Sequence, residues 1–308
     1  MDLSVVIATY NRSGSLAATL RSLAGSRVTA GSLWEIIIVD NNSTDQTRAV
    51  VECFVESGQQ NIRYLFEPQQ GKSVALNTGI RQARGRIIGM TDDDCIVDSQ
   101  WIASILQEYA SDPDLAAIGG RVGLYNRMDE PMTVRTSKQR SVVSRAPFEA
   151  SSPPIIGCNM AFKREIFDVI GYFDPDFGPG SNHHLVAEDV DFLYRVCKKG
   201  FKLVYSPDLI VYHNHGRRTD DDRESVCRNY VRGRGAFYCK HVLRKDGAVL
   251  KMAYWEALGV TKSFARKIFA GNTAGREMIL LWNLGIGVIY EFRTHPPKIF
   301  QAIMPKVK

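Results

Sequence analysis

Three consecutive carboxylates, Asp92, Asp93 and Asp94, follow directly on the apolar run Ile87 to Met90 in the stretch GRIIGMTDDDC. Charges set side by side repel one another, so the cluster is costly unless a cation or hydrogen-bond donors share the site. Carboxylate oxygens are hard ligands, which makes a divalent ion such as Mg²⁺ or Mn²⁺ the first reading of that charge. Two further polar clusters, Thr9 to Asn11 and Asp40 to Asn42, also stand straight after apolar runs, in LSVVIATYN and WEIIIVDNN. A second acidic group, Glu188 and Asp189 in AEDVDFLYR, opens a helical pattern, where acids also compensate the helix dipole.

The elements that must position these groups follow from periodicity. LSVVIATYN reads as a strand, and SLAATLRSLAGS after it carries leucines at helical spacing. WEIIIVDNNSTDQTRAVVECFV repeats the order, with Ile36 to Val39 as a continuous apolar strand and STDQT as a helix start. NIRYLFEP, KSVALNTGIRQA and GRIIGMTDDD supply strand, helix and strand again. This alternation predicts an α/β fold with a mostly parallel sheet covered on both faces and a ligand crevice at the carboxyl ends of its strands. All three polar clusters fall at such ends, so they are expected to converge. Residues 126–153, rich in Arg, Ser and Pro, lack periodicity and read as a long functional loop. LIVYHNHG reads as a strand ending at His213 and His215. The GKS at Gly71 to Ser73 is no P-loop, because Phe66 stands where that motif needs its first glycine.

Composition sets the outer bounds. With 308 residues, 44% hydrophobic and 23% charged, the chain has material for one large core or two domains, and disorder is excluded as its general state. The opening MDLSVVIATY has no basic segment followed by a cleavable apolar stretch, and the six cysteines form no C-x-x-C pair. Free thiols and a cytoplasmic location are therefore expected, without a signal peptide, a structural zinc or a disulfide framework. Residues 217–308 hold 18 Lys/Arg against 8 Asp/Glu, and residues 1–216 hold 21 against 25. A tail this basic is expected to meet something anionic, either a membrane surface or a phosphate-bearing substrate.

In order along the chain, SVVIATYNR, IIIVDNNSTD, GKSVALNTGI, GRIIGMTDDDC, GCNMAFKREIF, AEDVDFLYR and VYHNHG resemble the inverting glycosyltransferases of family two, which have the GT-A-type nucleotide-diphospho-sugar transferase fold with a Rossmann-like sheet. The resemblance spans roughly residues 3–240. It implies transfer of a sugar from a UDP-, GDP- or dTDP-linked donor to the hydroxyl of a glycan or lipid-linked acceptor, in cell-envelope or extracellular polysaccharide or glycolipid synthesis. The leaving diphosphate gathers negative charge as the glycosidic bond breaks, and a divalent ion on its oxygens offsets that charge. By the family's D-x-D pattern, Asp92 contacts ribose or metal, Asp94 binds the metal, and Asp93 sits in the same nucleotide-sugar loop while pointing elsewhere. The clustered charge would then be offset only when metal and donor arrive. Asp40 is the family's acid on the base, with Thr9 and Tyr10 beside it, and the Tyr10 ring offers a face for stacking. Asn42 and Lys72 are placed to reach the nucleotide or pyrophosphate.

Inversion needs a base on the acceptor side, and the family's Glu-Asp pair assigns it to Asp189, with Glu188 as the alternative or as an orienting residue. Adjacent carboxylates raise each other's pKa, which suits a base near neutrality, and Asp191 is expected to turn away on the helix. The resemblance gives His213 as an additional metal ligand, with His215 as its competitor, and Gly157 and Asn159 as lining the sugar and acceptor pocket. Ala187 stands where many relatives have glycine.

Residues 1–216 are thus expected to form the catalytic domain, with a nucleotide-sugar half to residue 98 and an acceptor half from 99. Residues 217–308 read as a basic tail of two or three amphipathic helices, either packed on that domain or attached peripherally to the cytoplasmic face of a membrane. MILLWNLGIGVIY is too short to span a bilayer about 30 Å thick. Two rival readings are a nucleotidyltransferase on a similar fold, which would need a glycine- and basic-rich loop that ATYNRSG lacks, and a basic nucleic-acid-binding protein suggested by the tail alone. No nucleic-acid partner is expected.

Overall fold

A computed structural model describes residues 1–143, 148, 150–270 and 275–295. The first half is three β-α steps and a closing strand: β1 (Leu3–Thr9), α1 (Ser13–Ala24), β2 (Trp34–Asp40), α2 (Thr47–Glu56), β3 (Ile62–Phe66), α3 (Lys72–Gln82) and β4 (Ile87–Thr91). Successive strand side chains point to opposite faces, and here both faces are covered. Val5, Ile7, Ile36 and Ile38 pack with the α1 leucines Leu16, Leu20 and Leu23 on one side. Val6, Ile37 and Val39 pack with Ala75, Leu76 and Ile80 of α3 on the other. The continuous apolar runs of the sequence are the consequence of this double burial.

The second half is more mixed: β5 (Cys95–Val97), α4 (Trp101–Ser111), β6 (Leu115–Leu124), β7 (Ser141–Val143), β8 (Asn159–Lys163), α5 (Ile166–Ile170), α6 (Glu188–Lys198) and β9 (Lys202–His213). The sheet runs β3-β2-β1-β4-β8-β6-β9-β5, with β7 also on β9. Pairs β1–β2, β1–β4, β2–β3 and β6–β9 are parallel. Strand β8 lies antiparallel between β4 and β6, and β5 and β7 lie antiparallel on β9. Two registers matter for the site. Thr91 at the end of β4 faces Asn159, and Cys95 faces His213. The acid turn between β4 and β5 therefore lies between the middle of the sheet and the carboxyl end of β9.

Within the stretch expected to be loop, β7 is a three-residue strand, too short for alternation to reveal; residues 144–147 and 149 of that stretch lie outside the described residues. Among the described residues the tail forms three helices, α7 (Asp220–Leu243), α8 (Gly247–Phe269) and α9 (Gly275–Thr294); residues 271–274 and 296–308 lie outside the described residues. Packing wins for α7. Phe237 and Tyr238 share a buried cluster with Val190 and Tyr194 of α6. The fully buried Asp191, turned away from its acidic neighbours as expected, accepts from Lys240 Nζ at 2.8 Å, Arg195 Nε at 2.8 Å and lies 2.9 Å from His241 Nε2. Among the described residues, no helix is long and apolar enough to cross a membrane.

Candidate active site

At the carboxyl ends of β1, β4 and β9 lies a cleft of about 330 Å³. Thr9, Tyr10 and Arg12 enter it from β1 and the following turn, Lys72 from the start of α3, Asp92 and Asp93 from the turn after β4, His213 from β9 and Glu188 from α6. Sheet order brings these strand ends together, and the residues that follow each apolar run there are polar.

The three aspartates have protein partners. Asp92 Oδ1 lies 2.7 Å from Lys72 Nζ. Arg12 Nη1 donates to Asp93 Oδ1 at 3.1 Å and to Asp94 Oδ2 at 2.6 Å. His213 Nε2 is 3.2 Å from Asp94 Oδ1, and its Nδ1 is 3.0 Å from the Thr133 hydroxyl. The cost of clustering that the sequence assigned to a bound ion is thus met by Lys72, Arg12 and His213, which corrects the expectation that only metal and donor offset it. Asp93, expected to point elsewhere, lines the cleft and is held by Arg12.

The titrations of these acids differ by surroundings. Burial pushes the Asp93 carboxyl up to about 6, against the pull of Arg12. Burial acts on Asp94 too, but His213, Arg12 and Lys72 outweigh it and hold that carboxyl well below its ordinary range. For His213 the burial penalty is exceeded by the bond and charge of Asp94, and the imidazole is pushed up to about 9.

The donor set fits a divalent ion. Ligand atoms of Asp94, Cys95 and His213 all lie within 4.8 Å of one another, with Asp92 on the same turn. Carboxylate oxygens and an imidazole nitrogen suit Mn²⁺ or Mg²⁺, and the Thr133 contact at Nδ1 orients the ring with Nε2 toward the acid. His215 is placed differently. Its Nδ1 accepts from the Arg217 amide at 3.0 Å and lies 3.9 Å from Asp129, while burial and the His213 charge lower its pKa. Of the two histidines, His213 is the one brought to Asp94.

Facing the acid turn is the carboxylate pair of α6. Glu188 Oε1 lies 3.6 Å from Lys72 Nζ, and its buried Oε2 has no hydrogen-bond partner among the described residues. Burial, opposed by Lys72 and reinforced by Asp189, pushes this carboxyl up to about 7. Asp189 beside it accepts from the Gly157 amide at 3.0 Å and the Val190 amide at 2.8 Å, and burial raises its pKa as well. A Cβ at Gly157 would stand 2.9 Å from Asp189 Oδ2, so any larger residue there would displace this carboxylate.

Several expected residues lie elsewhere. Asn159 does not line a sugar pocket: it is fully buried, its Oδ1 accepts from Trp101 Nε1 at 2.8 Å, and its Nδ2 donates to the Arg121 and Leu209 carbonyls at 2.9 and 3.0 Å. That saturated amide is a pin holding β6, β8, β9 and α4 together. Asn42 is exposed in a left-handed turn at φ 67° and lies outside the cleft lining, whereas the buried Asn41 lines it. The Asn41 side chain receives the Gly71 amide and donates to the Glu67 and Gln69 carbonyls, bracing the loop that delivers Lys72. Asp40 is buried beside the cleft lining, accepting from Tyr64 Oη at 2.7 Å and the Ser43 amide at 2.9 Å.

Two contributors went unread in the sequence. Arg12 is a lone cation two positions after Tyr10, and the three acids' need for a partner was the signal that could have found it. Val226, Asn229 and Tyr230 of α7, with Arg217 before it, form a wall of the cleft. A tail helix without a local motif gives no such signal.

Residues 4–171 match the family model described as glycosyl transferase family 2. The chain is 28% identical over 215 residues to glycosyltransferase AglE of Haloferax volcanii, covering 68% of this chain and 66% of that protein. It is 25% identical over 260 residues to the chondroitin synthase of Pasteurella multocida, covering 73% of this chain and 26% of that protein. It therefore spans less than two thirds of the length of these curated relatives. Its fold is similar to that of the mannosyltransferase PcManGT from Pyrobaculum calidifontis in complex with GDP-Man and Mn²⁺, with a TM-score of 0.63 at 19% identity, covering 94% of this chain and 86% of that one. With the family model spanning more than half of its residues and the GT-A architecture around the cleft, the chain belongs to glycosyl transferase family 2, a family of inverting enzymes that take sugars from nucleotide donors.

Proposed function

We propose that this chain moves a sugar from a UDP-, GDP- or dTDP-sugar to a hydroxyl of a glycan or lipid-linked acceptor, with Mn²⁺ or Mg²⁺, in cell-envelope or extracellular polysaccharide or glycolipid synthesis. The observation that carries this reading is one cleft lined by Asp92, Asp93 and His213 on one side and Glu188 on the other, with Lys72 reaching both, Asp94 behind it on His213 and Asp189 next to Glu188. The polymer setting is supported by the chondroitin synthase relative, and the metal and donor class by the GDP-Man and Mn²⁺ bound to PcManGT.

Asp94 and His213, with Asp92, would hold the ion, which when bound would neutralise charge on the departing diphosphate. Lys72 and Arg12 add fixed positive charge to the same wall. Tyr10, half exposed at the cleft, offers its ring to the nucleobase, near Thr9 and Asp40. Asp189 takes the acceptor proton: the Gly157 and Val190 amides fix its carboxylate and leave further lone pairs open. Glu188 orients Lys72 and the acceptor side of the cleft. A cytoplasmic location is supported by six free cysteines.

A screen of UDP-, GDP- and dTDP-sugars with Mn²⁺ by thermal shift tests the reading, since a donor at 100-fold its Kd stabilises the fold by about 2.7 kcal/mol. One donor class should raise the melting temperature and yield its nucleoside diphosphate on transfer. Asp94→Ala should abolish metal-dependent turnover. Absence of any shift across the three donor classes would overturn the proposal.

A further inference from the structure

We propose that the outward face of α8 docks on an anionic lipid bilayer. Leu250, Tyr254, Trp255 and Phe269 stand out from this helix with 56, 59, 56 and 91% of their surface exposed. Lys251, Lys262 and Arg266 are interleaved with them and have no ion-pair partner among the described residues. The series Lys251, Trp255, Lys262, Arg266 and Phe269 recurs at three- and four-residue multiples, which puts it on one side of a helix.

The acids of this region face inward. Glu256, the acid within α8, receives Arg234 at 2.8 Å and the Tyr238 hydroxyl, both on α7. Asp246, which caps the helix, is held by Tyr194 and Lys198. Val249, Met252 and Ala253 dock α8 onto the buried cluster under α7, so the aromatic and basic face is the one left over. A merely solvated helix face mixes both signs of charge, whereas this one joins aromatic rings to cations with no acid. Rings of this kind enter the headgroup boundary of a bilayer, and Lys and Arg meet anionic headgroups there.

A second copy of the chain fits the face less well. Isologous pairing would set the cations Lys251, Lys262 and Arg266 against the same set of cations on the copy, at a cost in repulsion. On a bilayer the same charges are attracted. The neighbouring α9 adds exposed Met278, Trp282 and Ile289 at helical spacing. Because α8 packs on α7, which walls the cleft, docking would hold the cleft near the lipid surface; that consequence rests on the lipid-linked-acceptor reading, while the docking itself does not.

The test is cosedimentation of the full chain, without donor or acceptor, with phosphatidylcholine vesicles made with or without phosphatidylglycerol. The expected result is pelleting with the phosphatidylglycerol vesicles and little with phosphatidylcholine alone. The triple variant Lys251→Glu, Lys262→Glu, Arg266→Glu should lose on the order of 100-fold in partitioning. Trp255→Glu with Phe269→Glu should also release the chain, while both sets keep the wild-type circular-dichroism melt because the altered side chains are exposed. Failure of the wild type to pellet, or equal pelleting of wild type and variants, would overturn the proposal, as would a solution dimer abolished by Trp255→Glu. Vesicle binding by a chain that takes up no nucleotide sugar would sink the proposed function and leave this surface standing.

Discussion

One helical turn of α6 carries acids with opposite fates. Glu188 faces the cleft and Asp191 faces α7, and both are buried. Burial penalises the charge of each. Around Asp191 that penalty is overcome by Lys240, His241 and Arg195, all within 2.9 Å, and the carboxyl is held well below its ordinary range. Glu188 has a single lysine at 3.6 Å and the like charges of Asp189 and Asp92 nearby, and its carboxyl is pushed up to about 7. Burial alone therefore does not decide what an acid does; the number and distance of its donors do. The well-partnered acid is an anchor, and the under-partnered one can exchange a proton near neutrality.

Substitutions should break this contrast in order of size. Asp189→Asn should cost about 10²- to 10⁴-fold in kcat while donor binding, read by thermal shift, stays intact. Retention of near-full transfer would remove Asp189 from its role. Asp191→Ala should do the reverse, costing about 3–5 kcal/mol of stability by stranding buried cations, read as a lower denaturant midpoint. A melt unchanged from wild type would show that Lys240 and His241 do not need this carboxylate.

Glu188→Gln should have the smallest effect and the most specific one. The folded state raises this carboxyl from 4.5 to about 7, so it binds the proton more tightly than the unfolded chain does. Stability from that proton is full below the unfolded value and fades as pH rises through about 7. Wild type should lose roughly 1–3 kcal/mol more than Glu188→Gln between about pH 5 and pH 8. If Asp189 is the base, the variant should also keep transfer within about tenfold of wild type at high pH. Parallel stability curves for the two proteins would show that Glu188 does not titrate as its surroundings dictate.

The first four strands, the first three helices and the acid turn were legible because each rests on short-range pattern: continuous apolar runs, leucines at helical spacing, polar residues at strand ends. Asn159 and Asn42 were misplaced because pattern gives a residue's neighbourhood and not the direction of its side chain. Asn159 stands in GCNM among motif residues, yet its amide is consumed by Trp101 and two carbonyls. Asn41 and Asn42 are chemically identical neighbours, and a left-handed turn at the second sends it to solvent. Arg12 was missed because its partner Asp93 lies 81 positions away, a distance no local pattern spans.

Sequence by itself determined that this chain builds an α/β sheet with acids at its strand ends and a basic tail, since periodicity, charge and turn chemistry are local properties. Only the tertiary structure decided which groups meet. Strand order set Arg12 and His213 on the acid turn, helix packing made α7 a wall of the cleft, and the count of donors around each buried carboxylate separated the anchor Asp191 from Glu188. Those outcomes depend on contacts between distant segments, and burial strengthens the charged ones enough to shift how the acids bind a proton.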